Sequence, residues 1–145
     1  TKAFRAKVQA VPAAERRKRL EATLSDRRDA ATPDASVAFL EAFAKGNWLR
    51  QPEHSRLIEG FAAGALTGKD RIRAGLPEGS RFAHKTGLGP SAAGLNHATN
   101  DIGIVTLPNG RIFAIAVYLA GSTGAPEQRE AAHAAVARLA VAALR

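Results

Sequence analysis

His84-Lys85-Thr86-Gly87 closes a β-rich run that opens at Arg81, and at this point the spacing of apolar residues changes from helical to alternating. Beyond it, Ile102 to Leu107 and Ile112 to Leu119 are further short β-rich runs bounded by glycine, proline and asparagine, so three strands are predicted. Pro108-Asn109-Gly110 separates the last two. Because Asn-Gly accepts the positive φ of a tight turn, those two strands are predicted to pair as a hairpin. The run from Ile112 to Leu119 is almost wholly apolar, which predicts a strand covered on both faces. Residues 88 to 100, with Gly89, Pro90, Gly94 and Asn96, read as a long connection flanking a cleft.

The first half reads as helices. Pro12 followed by Glu15 opens one that runs through Leu20 and Leu24. Thr32-Pro33-Asp34 opens a second, with Val37, Leu40, Phe43 and Ala44 at helical spacing and Gly46 at its C-terminal end. Gln51-Pro52-Glu53 opens a third, with Leu57, Ile58 and Phe61 expected to face inward before Gly64. A short helical turn is expected around Ile72, and Trp48 is expected to pack at a helix end. After the strands, Ala125-Pro126-Glu127 starts an alanine-rich helix whose expected packing face is Ala132, Val136, Leu139 and Ala140. The expected division is a helical region over 1–77 and a sheet region over 78–145. Three strands and one helix cannot cover both faces of so apolar a central strand, so further chain is expected to complete the sheet.

At 145 residues and 46% hydrophobic content the chain is of ordinary domain size. No apolar run approaches the roughly 20 residues of a membrane-spanning helix, and the first segment is too charged for a secretory leader; a soluble chain with no membrane span is expected. Without cysteine there is no disulfide framework and no thiolate nucleophile. The net charge of +8 is local: residues 1–30 hold nine Lys or Arg against four Asp or Glu. A nucleic-acid-binding module built on this segment is one reading. Interleaved Glu15, Glu21, Asp26 and Asp29 argue against it. His54, His84, His97 and His133 are too scattered for a metal set, and neither metal nor cofactor is expected.

A lysine at a strand end can neutralise a substrate carboxylate or lower the pKa of a neighbouring hydroxyl, and Thr86 supplies a donor beside Lys85. Gly87 lets a substrate backbone lie against the strand, and the amide of Leu88 can point at a developing oxyanion. The plainer reading is a solvated lysine, since Lys-Thr-Gly also ends many exposed strands.

The surrounding signals resemble, over roughly residues 26–145, the C-terminal half of class A β-lactamases and related penicillin-recognising serine hydrolases. Asp26-Arg27-Arg28-Asp29 with Ala31-Thr32-Pro33 is similar to the family's exit from its active-site Ω-loop. Arg73-Ala74-Gly75-Leu76-Pro77 is similar to its approach to the triad strand, and Asn100-Asp101-Ile102-Gly103 to its next strand. The fold this implies is α+β, an α/β sandwich in which an antiparallel sheet is packed by helices, incomplete in this chain.

By resemblance, Lys85 joins the active-site hydrogen-bond network, Thr86 binds the carboxylate of a β-lactam or peptide-like substrate, and the Leu88 amide gives half of an oxyanion hole. Arg71 is the carboxylate-anchoring arginine, against the alternative of a solvated surface arginine. A periplasmic or secreted location is also implied. The serine nucleophile in Ser-x-x-Lys is absent from the chain and is expected from an N-terminal portion of the same enzyme. Glu21 is the one candidate for a deacylating base, but its arginine-rich helix favours a plain surface pair. A penicillin-binding or noncatalytic homologue without efficient deacylation is therefore the alternative to a hydrolase.

Overall fold

The computed structural model describes residues 2–28, 30–48 and 50–144, without the side chains of Pro52, Ser55, Leu57 and Phe61. Leu57 and Phe61 of the expected inward face, and Asp29 of the Ω-loop-like segment, thus lie outside the described residues. Four helices come first: α1 (Lys2–Ala10), α2 (Ala13–Leu24), α3 (Pro33–Ala44) and α4 (Pro52–Ala63). A 3-10 turn (Ile72–Gly75) leads into β1 (Arg81–Leu88), β2 (Ser91–Ala92), β3 (Leu95–Thr106), β4 (Ile112–Ser122) and α5 (Pro126–Ala143).

Local signals explain most boundaries. Thr32 accepts a hydrogen bond from the Ala35 amide at 3.2 Å and so caps α3, while Pro33 and Asp34 fill a first turn that needs no further donors. Gly46, at φ +76°, donates its amide to the Phe43 carbonyl and ends that helix. Between β3 and β4 the Leu107 amide reaches the Arg111 carbonyl at 2.8 Å, and Gly110 takes φ +83°, as the Asn-Gly pair requires.

All pairings are antiparallel: β1 lies against β3, and β3 against β4. One sheet face meets α5 and the 3-10 turn in a core of Ile72, Phe82, Val105, Leu107, Ile115, Ala137 and Val141. The other carries α3 and α4, which pack on β4 and β1 respectively. The architecture is therefore the expected α+β sandwich.

Three expectations change. Helix α1 was not anticipated, although Phe4 and Val8 stand four residues apart on it; none of its residues is buried. Residues 88–100 are not an open connection: β2 pairs with Leu95 and Asn96, and β3 begins seven residues before Ile102. That stretch reads as loop because it is polar, yet its buried Asn96 and Thr99 are satisfied by each other at 2.9 Å. β4 carries helices on both faces as expected, α5 on one and α3 on the other, although Ile115 is its one buried residue and β3 its one strand neighbour among the described residues.

The packing face of α5 is also rotated. Arg129, His133, Ala134, Ala137 and Val141 are buried, whereas Ala132, Val136 and Leu139 are exposed and Ala140 is half-buried. Close approach to the 3-10 turn decides this: a Cβ on Gly75 would stand 2.1 Å from the Ala134 carbonyl oxygen, so only the alanine stripe fits there.

The β2–β3 hairpin stores strain. Ala93 sits at φ +46° beside Gly94 at φ +79°, in a two-residue turn that suits Asn-Gly. An alanine in this conformation costs roughly 1–2 kcal/mol. Ala93→Asn is expected to stabilise the protein by about 0.5–1 kcal/mol in urea unfolding, and an unchanged midpoint would refute the assignment of strain.

Candidate functional site

Lys85 and Thr86 lie toward the end of β1, an edge strand among the described residues, and alternation sends them to opposite faces. Lys85 is exposed and joins Ala83, Ile102 and Ile104 in lining an apolar hollow of about 200 Å³ under Phe39, Phe43, Ile58 and Ala62 of α3 and α4. Its Nζ donates to the Thr86 carbonyl at 2.7 Å. Farther along β3, a second hollow of about 380 Å³ lies between Thr23, Leu24, Asp26 and Ala31 on one side and Ala98, Asn100 and Tyr118 on the other. Ile104, Ile102, Asn100 and Ala98 are alternate residues of one strand, so both hollows open on the helical face of the sheet. At the rim, hydrogen bonds from the Arg28 guanidinium and then the Arg28 amide hold the Asp26 carboxyl below the usual carboxylate range.

On the opposite face, the Thr86 hydroxyl meets the Thr67 hydroxyl at 3.0 Å. Gly68, at φ +70°, brings this turn so near that a Cβ there would lie 2.5 Å from Thr86 Cγ2. Arg71 completes the attachment by donating from Nη1 to the Gly87 carbonyl at 3.1 Å and the Asn100 carbonyl at 2.8 Å. It is 7% exposed, and its Nε lies 3.7 Å from Glu130 Oε1, so the solvated-arginine alternative does not hold. Gly87 and Asn100 are cross-strand partners, so the guanidinium spans β1 and β3 beside the triad.

At Gly87 a Cβ would meet only Asn100, at 3.5 Å or more, an ordinary contact. Packing among the described residues thus makes no demand for glycine there. Leu88, 68% exposed, ends the strand opposite Thr99. Glu21 is not among the residues brought together at the triad: it lies on the surface of α2, paired with Arg17 at 2.8 Å. Arg17 also donates to the Ala93 carbonyl at 2.8 Å, which ties α2 to the tip of the β2–β3 hairpin. Arg19 is paired with Glu15, so part of the basic charge of α2 is already matched within the helix.

Sequence reasoning missed Thr67 and Gly68, which lie between the third expected helix and the turn around Ile72. It also missed the buried contact between His84 Nδ1 and Asp101 Oδ1, at 2.7 Å. A third omission is a relay in which Arg129 Nε donates to Thr99 Oγ1 at 3.0 Å, Thr99 to Asn96 Oδ1, and Asn96 Nδ2 to Ser91 Oγ at 3.0 Å. A Thr-Gly pair three residues before a buried arginine was the only available sign of the first. Among the described residues no group of three or more His, Asp or Glu is placed to hold a metal ion, and no helix is long and apolar enough to cross a membrane.

The chain is similar to known proteins in sequence and in fold. The family model described as the beta-lactamase enzyme family matches residues 3–144. Beta-lactamase VEB-1 of Pseudomonas aeruginosa is 34% identical over 101 residues, covering 69% of this chain and 34% of the relative. A beta-lactamase of Mycobacterium tuberculosis is 36% identical over 108 residues, covering 73% of this chain and 33% of the relative. Among solved structures, TLA-3 extended-spectrum beta-lactamase superposes with a TM-score of 0.75 at 37% identity, over 79% of this chain and 42% of that one. A class A beta-lactamase representing the last common ancestor of Gram-negative bacteria gives 0.74 at 37% identity, over 83% and 44%. The chain thus spans about a third of the length of these curated relatives. It belongs to the beta-lactamase enzyme family and corresponds to a C-terminal fragment of a class A member.

Proposed function

We propose that this chain supplies the Lys-Thr-Gly side of a site that hydrolyses β-lactams through an acyl-enzyme. The observation that carries the reading is the placement of Lys85, Thr86 and Gly87 on β1, with Lys85 lining a groove between helices and sheet and the Thr86 hydroxyl 3.0 Å from that of Thr67 on the neighbouring turn. In this reading a serine from an N-terminal portion of the enzyme attacks the lactam carbonyl carbon. The O–C bond forms, the C–N bond breaks, and the ring nitrogen takes up a proton. Water then cleaves the ester. Lys85 contributes positive charge, the Thr86 hydroxyl holds the substrate carboxylate, and the Leu88 amide faces the oxyanion. Arg71, already bonded to two carbonyls, would serve the carboxylate chiefly by fixing the strand that presents Thr86. A periplasmic or secreted location follows from kinship alone.

The second reading is a penicillin-binding protein that acylates and releases slowly. It is favoured by the position of Glu21, whose carboxylate is engaged by Arg17 on an exposed helix. Intact-mass measurement with a chromogenic β-lactam separates the two in an enzyme containing this chain and its nucleophile. Turnover with a transient adduct supports the hydrolase, and a lasting adduct supports the penicillin-binding protein. Neither adduct nor turnover would refute both.

A further inference from the structure

Among the described residues β1 presents Lys85 and Thr86 while hydrogen-bonded on one side only, because its one neighbour there is β3. A backbone ladder is a weak device for this. It repeats every two residues, so a two-residue slip restores both the hydrogen bonds and the in-out alternation. Something aperiodic has to mark the register.

One pair of side chains does so. The side chains of His84 and Asp101 are fully buried, with Nδ1 and Oδ1 2.7 Å apart. In the observed register Asp101 stands opposite Thr86, and His84 stands opposite Gly103. A Cβ at Gly103 would fall 2.7 Å from His84 Cβ and 2.3 Å from the Ala83 carbonyl oxygen, so the glycine leaves the room in which the imidazole reaches diagonally to Asp101. The ring also stacks on Phe82 at 4.3 Å between centroids. Beneath the Thr67–Arg71 turn, Gly68 rests against Thr86, His84 and Asp101 together. Burying such a pair costs more than burying two apolar side chains, and its return is specificity of register.

We infer that the Asp101–His84 pair is the positioning element of the triad strand, fixing β1 on β3 so that Thr86 is held beneath the Thr67 turn. It rests on the reading of residues 85–87 as the substrate-facing edge. Slipping β1 by two residues one way would set His84 opposite Val105 and part it from Asp101, leaving both polar groups unpaired, and slipping it the other way would set His84 directly opposite Asp101 but away from the gap that Gly103 leaves for the imidazole. With Asp101 Oδ1 as the acceptor in this pair, the imidazole proton sits on Nδ1.

The test uses nuclear magnetic resonance of the intact enzyme with labelled histidine. The wild type is expected to show His84 protonated at Nδ1, and finding it protonated only at Nε2 would overturn the inference. Asp101→Asn, which preserves volume, is expected to speed exchange of the protected β1 amides at least about tenfold relative to those of β4. Equal acceleration across all strands would mean ordinary destabilisation and would also overturn it. If Asp101→Asn fails to fold, His84→Asn is scored on the same ratio, and the wild-type spectrum stands without either variant. In kinetics, KM for a carboxylate-bearing β-lactam is expected to rise more than kcat falls. An enzyme inert to β-lactams that still gave the tautomer and the local exchange would remove the proposed activity while leaving the positioning role standing.

Discussion

Lys85→Ala, placed in an enzyme that carries this chain together with its nucleophile, is expected to lower kcat/KM for a chromogenic β-lactam by about 100-fold. The estimate follows from removing a charged hydrogen-bond partner, worth about 1.5–3 kcal/mol, from an interaction made with an anionic substrate. Because the Lys85 side chain is exposed and its one described hydrogen bond is to the adjacent carbonyl, folding stability is expected to move by no more than about 0.5 kcal/mol. Thr86→Val should fall in the same direction by a smaller factor, since the Thr67 hydroxyl 3.0 Å away remains as a donor. Steady-state kinetics beside a thermal melt separates the effects. A lysine variant with unaltered kcat/KM would remove Lys85 from the substrate site.

Gly75→Ala is expected to be the most damaging single methyl on the sheet side. Its new carbon would stand 2.1 Å from the Ala134 carbonyl oxygen and 2.8 Å from Ala137 Cβ. Neither obstacle is the tip of a flexible side chain: one is helix backbone and the other a buried methyl, so α5 must move off the 3-10 turn. The same contact holds Ile72 and Ala137 in the core. A loss of about 3 kcal/mol is expected, the upper end for an overpacked core. Urea unfolding measures it, and a loss under about 1 kcal/mol would show that α5 yields easily.

Where local chemistry sets a boundary, the sequence disclosed it. Thr32-Pro33-Asp34 caps α3 because a threonine oxygen and a proline ring suit a helix start wherever they occur. Asn109-Gly110 turns the chain for an equally local reason. The triad strand was legible as well, and kinship supplied its meaning. What escaped depends on partners remote in the chain. Leu95 to Asp101 reads as loop because its polar residues satisfy one another, and Arg129 on α5, only inside the fold. The face of α5 was misjudged because Val136 and Leu139 look like core until Gly75 reveals that the turn admits nothing larger than alanine. His84 and Asp101 are 17 residues apart, and no local periodicity joins them.

β4 has β3 on one side and no described strand on the other. Its free amide and carbonyl row is a template for another chain, and the strand bearing it is rich in Ile115, Val117 and Leu119. Kept alone at high concentration, this polypeptide would accumulate as intermolecular β-assemblies. Charged substitutions along that rim, or a peptide strand added in trans, would be the means of keeping it dispersed.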